Sequence, residues 1–380
     1  MNMSNSKKNK KLALFGGSNS VKKMGLKRGL DVNYDVYNYS LGASSSLQNL
    51  YELIRNFEII NTLDFVVTES NVNDFHSVNI LGCKLKLIEN NVAMYYEKLS
   101  TLKIPVLVIL LPLQTASYSY SSEVNAIHYK YIKKYGFNVM DLHKYYLKEK
   151  LNEKLYFNNL DHPPSLIMYN IGKYIDYDVL EMHEVLELTL NNYLIFHDLK
   201  GFKSKVKKNT AFCENIFTLS GLYDFPPETY GYKILGVHTW SNKDSIISVQ
   251  GNGIKISKKI NNECQFHDYF NEFYISDGAA FLADTSFKEG ILEKTFRTES
   301  SKDFKEELGL IAFFLVKSEH VRQGSKTQKY NDLTTNFTHI NDALFFMEEY
   351  YTWNLNKQIS DSLLKKITWK ISNYIGQIAK

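Results

Sequence analysis

At 380 residues the chain is too long for one ordinary core, so two domains are the default expectation. A hydrophobic share of 44%, with 14% aromatic residues, is ample for packed interiors. A net charge of +4 over that length gives no case for a dedicated nucleic-acid binder.

Three widely spaced cysteines, Cys83, Cys213 and Cys264, fit a reducing compartment and argue against a disulfide framework or a cysteine-based zinc site. The basic start, Lys7 to Lys11, is followed only by Leu12 to Phe15 before Gly16-Gly17 breaks the run, far short of the apolar core of a signal peptide. The strongest apolar run, Ile104 to Leu113, covers about half a membrane span and contains Pro105 and Pro112. The expectation is a cytoplasmic protein without a transmembrane helix.

From Lys11 to about Leu190, short apolar runs alternate with longer amphipathic ones. The spacing predicts strands at Lys11–Phe15, Tyr34–Tyr39, Asp64–Thr68, Pro105–Leu111 and Asn138–Leu142. Helices are predicted near Val21–Leu30, Ser45–Asn56, Asn79–Thr101, Ser122–Tyr135 and Ser165–Asn191. Such alternation implies a parallel sheet covered on both faces, with functional residues where strands give way to loops.

Four of those junctions carry chemistry. After the first strand, Gly16 and Gly17 let the backbone turn and Ser18 follows; the simpler alternative is a serine that only caps the next helix. After the second comes Ser40-Leu41-Gly42-Ala43-Ser44-Ser45-Ser46, where a glycine lets a backbone N–H approach a ligand. After the third, Asn73 lies in Asn71-Val72-Asn73-Asp74, and its amide is suited to donate to an oxyanion, or to close an Asx turn. Asn158-Asn159-Leu160-Asp161-His162-Pro163-Pro164-Ser165 then precedes a long helix, and His162 is a candidate general base for Ser18.

In that order and spacing, the four blocks resemble those of the SGNH (GDSL-type) hydrolases. The resemblance covers roughly half the chain and implies a three-layer, flavodoxin-like α/β/α sheet. It implies Ser18 as nucleophile, with the Ser18 and Gly42 N–H groups and the Asn73 amide as oxyanion hole. His162 becomes the catalytic base. Leu111-Pro112 and Val139-Met140-Asp141-Leu142 add smaller agreements. Three positions depart from the pattern. Gly17 stands where an acid or amide usually precedes the serine, and Asn71 replaces the usual glycine of the third block. Asn159 holds the place of the aspartate three residues before the histidine. A carboxylate stabilises imidazolium where an asparagine only orients the ring. A Ser–His dyad, a triad completed by Asp161, and an impaired site are therefore open, and the expectation preferred is an active site with Asp161 as the third catalytic member.

Beyond Asn191 the alternation fades into short segments rich in β-branched or aromatic residues: Tyr232–His238, Ser245–Val249, Gly253–Ser257, Glu272–Ile275 and Leu308–Val316. Turn formers between them favour a β-sandwich-like domain. Leu199 to Thr210 reads as a lysine-rich linker or first edge strand. Tyr223, Phe225, Tyr230, Tyr232, Trp240, His267, Tyr269 and Tyr274 are aromatics able to stack on sugar rings, or to fill a core. The chain's last fifty or so residues read as mainly helical, with Ile359, Leu363, Leu364, Ile367, Ile371 and Ile375 at helical spacing. Packing on its own domain is the first reading of that helix, and peripheral contact with a membrane is the alternative. The domain expectation is 1–192 for the α/β unit, 193–328 for the sandwich and 329–380 for the helical segment. No metal site is expected, since Asp161-His162 and His143 lack a ligand spacing.

The function expected from the resemblance is serine-dependent movement of acyl groups, acetyl first, on or off carbohydrate. No bound cofactor is expected. The preferred direction is O-acetyltransfer to a polysaccharide, with acetyl-CoA as acyl donor. The alternatives are a carbohydrate acetyl esterase and a non-catalytic glycan-binding protein on a degenerate scaffold.

Overall fold

The structure, a computed structural model, describes residues 10–22, 24–112, 120–149, 162–187, 192–197, 204–241, 244–260, 263–284, 287, 289–296, 308–317 and 328–334. Five segments form parallel strands: β1 (Lys11–Phe15), β2 (Asp35–Asn38), β3 (Phe65–Thr68), β4 (Val106–Leu110) and β5 (Asn138–Asp141). Their order is β2-β1-β3-β4-β5, the doubly wound arrangement that reverses direction at β1. Because β1, β3 and β4 are covered on both faces, Leu12–Phe15, Phe65–Val67 and Val106–Leu110 read as continuous apolar runs rather than alternating ones.

The connections are helical. α1 (Ser18–Val21) and α2 (Leu26–Leu30) join β1 to β2, and α3 (Ser46–Arg55) with α4 (Phe57–Ile60) joins β2 to β3. α5 (Asn71–Asn79) and α6 (Leu85–Leu99) lead to β4, α7 (Ser121–Tyr135) to β5, and α8 (Leu142–Lys148) and α9 (Ser165–Tyr174) follow. α2 packs on α9, while α3, α6 and α7 pack successively on one another, giving the two helical layers expected of right-handed crossovers. The three-layer α/β/α class expected from the sequence is therefore the one observed.

Two helical expectations need correction. The segment at 71–79 is helix where a loop was expected, and α6 begins at Leu85 rather than Asn79. Asn71, Asn73, His76 and Ser77 are poor helix formers, but tertiary hydrogen bonds to Asn71 and Asp74 override propensity. The helix expected over 165–191 stops at Tyr174, because Asn33 Nδ2 and Tyr34 OH donate to the carbonyls of Lys173 and Ile175 at 2.8 and 2.9 Å.

The second half is antiparallel apart from one parallel pair, Ile256–Lys258 beside Ile291–Glu293. One sheet runs β13 (Gln265–Asp268), β10 (Lys233–Trp240), β16 (Leu308–Val316), β8 (Cys213–Leu219), β7 (Ser204–Lys208), with β6 (Tyr193–Phe196) also pairing β16. The other runs β15 (Ile291–Glu293), β12 (Ile254–Ile260), β11 (Ser245–Gly251), β14 (Ala280–Asp284), β9 (Leu222–Asp224). Between them lies an aromatic core in which Phe281 stacks within 4.8 Å of Phe225 and 5.1 Å of Phe313. The lysine-rich segment is β7, at one sheet edge, where charge discourages pairing with another chain. Glu272–Ile275 is not a strand; only Tyr274 forms an isolated bridge, to Lys233.

β16 is buried on both sides. Leu310, Phe313 and Leu315 face the sandwich core, while Ile311, Ala312 and Phe314 join the core of the α/β unit. The sandwich thus covers α3, with Tyr51 packed within 5.0 Å of Phe266 and 5.7 Å of Phe314. After the sandwich, residues 331–333 pair with Val139 of β5 through bonds of 2.9 Å, returning the chain to the parallel sheet. The helix read at 359–378 lies outside the described residues. No described helix is long and apolar enough to cross a membrane.

Candidate active site

Segments far apart in sequence meet at the carboxyl ends of β1, β2 and β3, the crevice where doubly wound sheets bind ligands. β1 hands the chain to Gly16, Gly17 and Ser18. Leu41 N–H donates to Gly16 O at 3.0 Å, so the Gly42 loop runs beside that turn. Asn73, in the first turn of α5, lays its amide against Gly17: a β-carbon there would lie 1.8 Å from Asn73 Nδ2. His162, three residues ahead of α9, brings Nε2 to 2.6 Å from Ser18 Oγ. Among the described residues, no hydrogen bond occupies the N–H of Ser18, the N–H of Gly42 or the Asn73 side-chain amide. The four sequence blocks are brought together. Asp161 and Asn159 lie outside the described residues.

Two departures from the family pattern have local causes. Asn73 fills the side of the turn onto which a side chain at residue 17 would point, so only glycine fits. Asn71 ties the third block to the end of β4. Its Oδ1 accepts from Leu111 N–H and its Nδ2 donates to Leu111 O, both at 2.9 Å, and Nδ2 also donates to Asn125 Oδ1 at 3.0 Å.

Residues that sequence reasoning left without a role hold the site in place. Glu69 follows β3 directly, and its Oε1 accepts from Gly17 N–H at 2.8 Å and from Ser20 Oγ at 2.9 Å. Burial pushes the Glu69 carboxyl up to about 7, against the opposing pull of those two bonds. Asp74 joins the second and third blocks. It accepts from Ser46 N–H at 2.9 Å and Ser46 Oγ at 2.5 Å, and His128 Nε2 lies 3.1 Å away. Tyr96 OH is 2.8 Å from His128 Nδ1, completing a buried chain across α3, α5, α6 and α7. The available signal was an acidic residue set immediately against an apolar strand or inside a buried block, which has to find donors.

The sugar-stacking set is largely core. Phe225, Trp240, His267 and Tyr269 are buried, Tyr223, Tyr230 and Tyr232 are half-buried, and Tyr274 is exposed. Among the described residues no group of three or more His, Cys, Asp or Glu is arranged to hold a metal ion.

No protein-family model matches the sequence, and no curated protein matches it. Solved structures match at low identity. An acetyl xylan esterase, AlAXEase, is 18% identical over 43% of this chain and 96% of its own, with a TM-score of 0.35. A lipolytic protein of the G-D-S-L family from Veillonella parvula DSM 2008 is 17% identical over 44% of this chain and 95% of its own, at 0.36. Axe2, an acetylxylan esterase from Geobacillus stearothermophilus, is 12% identical over 44% and 92%, at 0.35. Likenesses this distant leave the chemistry to the geometry of the site.

Proposed function

We propose that the chain is a serine-dependent acyl-transfer enzyme that works through an acyl-Ser18 intermediate. The observation that carries this is the 2.6 Å approach of His162 Nε2 to Ser18 Oγ beside three unoccupied donors. His162, neutral with its proton on Nδ1, takes the hydroxyl proton as Ser18 Oγ attacks an ester or thioester carbonyl. Negative charge moves to the carbonyl oxygen, where the Ser18 and Gly42 N–H groups and the Asn73 amide receive it. Collapse breaks the bond to the leaving group, which takes the proton from His162, and leaves acyl-Ser18. A second hydroxyl, from water or a sugar, gives its proton to His162 and removes the acyl group by the reverse steps.

Acetyl on carbohydrate is the substrate class proposed, with transfer from acetyl-CoA to a polysaccharide hydroxyl as the preferred direction. A carbohydrate acetyl esterase shares every step up to the final acceptor. The intact Ser18–His162 contact speaks against a purely glycan-binding role for a decayed scaffold.

The test is covalent. A fluorophosphonate is expected to phosphonylate Ser18 Oγ with loss of HF, adding its mass less HF, and Ser18→Ala and His162→Ala are each expected to lose aryl-acetate turnover by about 10³-fold or more. Acetyl-CoA consumption that requires added polysaccharide selects transfer; acetate release from acetylated polysaccharide selects hydrolysis. A chain whose Ser18 neither labels nor turns over an ester overturns the proposal.

A further inference from the structure

The loop that carries Gly42 is conformationally expensive. Ala43 takes φ of 53°, the left-handed region that side chains with a β-carbon disfavour, so the turn persists only because its surroundings hold it. Within the loop Ser44 Oγ donates to Gly42 O at 3.2 Å, and three further contacts anchor it. Leu41 N–H is tied to Gly16 O, Ser46 is tied to Asp74, and Ser45 reaches outside the α/β unit altogether. Ser45 Oγ donates to Asp268 Oδ2 at 2.5 Å, 223 residues away at the end of β13 in the sandwich. Its lone pair accepts Leu47 N–H at 3.2 Å, which makes Ser45 the N-cap of α3. The single hydroxyl proton is therefore committed to Asp268.

Asp268 is itself held firmly. Glu293 accepts from the N–H groups of Phe270 at 3.0 Å and Asn271 at 2.7 Å, fixing the turn that follows Asp268. Lys258 Nζ, buried, pairs with Glu293 Oε2 at 2.5 Å and sits over the Phe270 ring at 4.5 Å. The sheet face beside Asp268 buries Tyr51 of α3 against Phe266. Lys258, in the middle of β12, thus holds Glu293, Glu293 holds the backbone two and three residues after Asp268, and Asp268 holds Ser45, three positions after Gly42.

We propose that Asp268 is a positioning residue for the oxyanion loop, so that the sandwich is a working part of the acyl-transfer site rather than a tethered accessory. The inference rests on the proposed function for its kinetic consequence, but not for its structural one. It predicts that the full-length Asp268→Ala protein binds a small aryl acetate normally yet turns it over slowly, since such a substrate draws on the sandwich only through the Gly42 N–H.

In full-length protein we expect Asp268→Ala to lower kcat on p-nitrophenyl acetate by about ten-fold with KM unchanged, a fraction of the 10²–10³-fold loss of a whole oxyanion donor. Asp268→Asn, which keeps an acceptor for Ser45, restores most of that rate. Ser45→Gly removes the hydroxyl while keeping a tolerated N-cap, so it reports on the same bond if Asp268→Ala fails to fold. Hydrogen exchange of the amides at 41–46 is read in parallel and is expected to quicken about ten-fold in Asp268→Ala and Ser45→Gly. A folded Asp268→Ala or Ser45→Gly protein with unaltered kcat, or with the loss confined to KM, overturns the inference. If the wild type turns over no ester, the proposed function has failed, and unaltered exchange at 41–46 then overturns the positioning role separately.

Discussion

A β-carbon on Gly17 would sit 1.8 Å from Asn73 Nδ2, so the residue before the candidate nucleophile is glycine because the candidate oxyanion amide occupies its side-chain space. Gly17→Ala is therefore expected to act through Asn73, by driving its amide away from Ser18. Loss of one oxyanion donor costs about 10²–10³ in kcat, and Asn73→Ala should lose the same amount. The double variant should lose no more than either single one, because both remove a single interaction. Kinetics on an aryl acetate read all three. Additive losses would show that Gly17 and Asn73 act independently.

Much of the α/β unit was legible in the sequence because strands buried on both faces leave continuous apolar runs, and Leu12 to Phe15 and Val106 to Leu110 are such runs. Three site blocks were legible because they follow β1, β2 and β3, where only a few residue types can do the chemistry, and the fourth because His162 stands just ahead of a helix. Less was legible where structure depends on distant partners. The helix at 71–79 is made by bonds to Ser46 and Leu111, which no local window contains. β8, β13 and β14 are four to seven residues long and do not keep a regular two-residue burial period, and β9 has only three residues, so no sustained alternation is there to read. Trp240 and Tyr269 look the same in sequence whether they stack on a sugar or fill a core.

Glu69 gives the fold a pH dependence of defined sign. Its carboxyl is raised from 4.5 to about 7 by burial, so its protonated form is favoured in the folded chain. The unfolded chain releases that proton first. The associated stability is fully present below about pH 4.5 and is lost as pH rises through about 7. Glu69→Gln keeps an acceptor for Gly17 and Ser20 but does not titrate. Relative to wild type, Glu69→Gln should therefore gain melting temperature between pH 5 and pH 8, as read by calorimetry. Glu52 and Asp268, also raised to about 7, titrate in both proteins and cancel in the difference. An equal pH response in the two proteins would show that Glu69 does not titrate in this window.

The Asp74 network should be costly to break and cheap to keep. Asp74→Ala strands the Ser46 N–H and the His128 ring nitrogen inside the fold, while the Ser46 hydroxyl keeps Ser70 Oγ at 2.8 Å. Each orphaned buried group costs about 1–3 kcal/mol, so a total of roughly 2–6 kcal/mol is expected in denaturant unfolding. Asp74→Asn keeps one acceptor oxygen for the Ser46 N–H and turns an amide NH2 toward the Ser46 hydroxyl and His128 Nε2, both able to accept, so it should lose well under half of that. Since Asp74 ties the Gly42 and Asn73 blocks together, residual folded Asp74→Ala should also turn over an aryl acetate more slowly than Asp74→Asn.

The two halves of the candidate nucleophile–base pair arrive on helices that touch backbone to backbone. Ser18 opens α1, which leads into α2, and His162 precedes α9 by three residues. Where α2 crosses α9, a β-carbon on Gly29 would lie 1.9 Å from Tyr169 O, and one on Gly172 would lie 2.3 Å from Leu26 O. Both neighbours are main chain, so a methyl group at either site has to push the helices apart by about 1 Å or more. That displacement passes directly to the 2.6 Å contact between Ser18 Oγ and His162 Nε2, and a shift of about 1 Å in reacting groups costs on the order of 10²-fold. Helix propensity argues the opposite way for stability, favouring alanine over glycine by about 1 kcal/mol in a helix interior. Gly172→Ala separates the two effects. If the close crossing positions the pair, kcat and melting temperature both fall, and KM for a small ester holds. A variant that melts higher and turns over at the wild-type rate would mean that the crossing has slack, and that the serine and histidine are held by the strand ends alone.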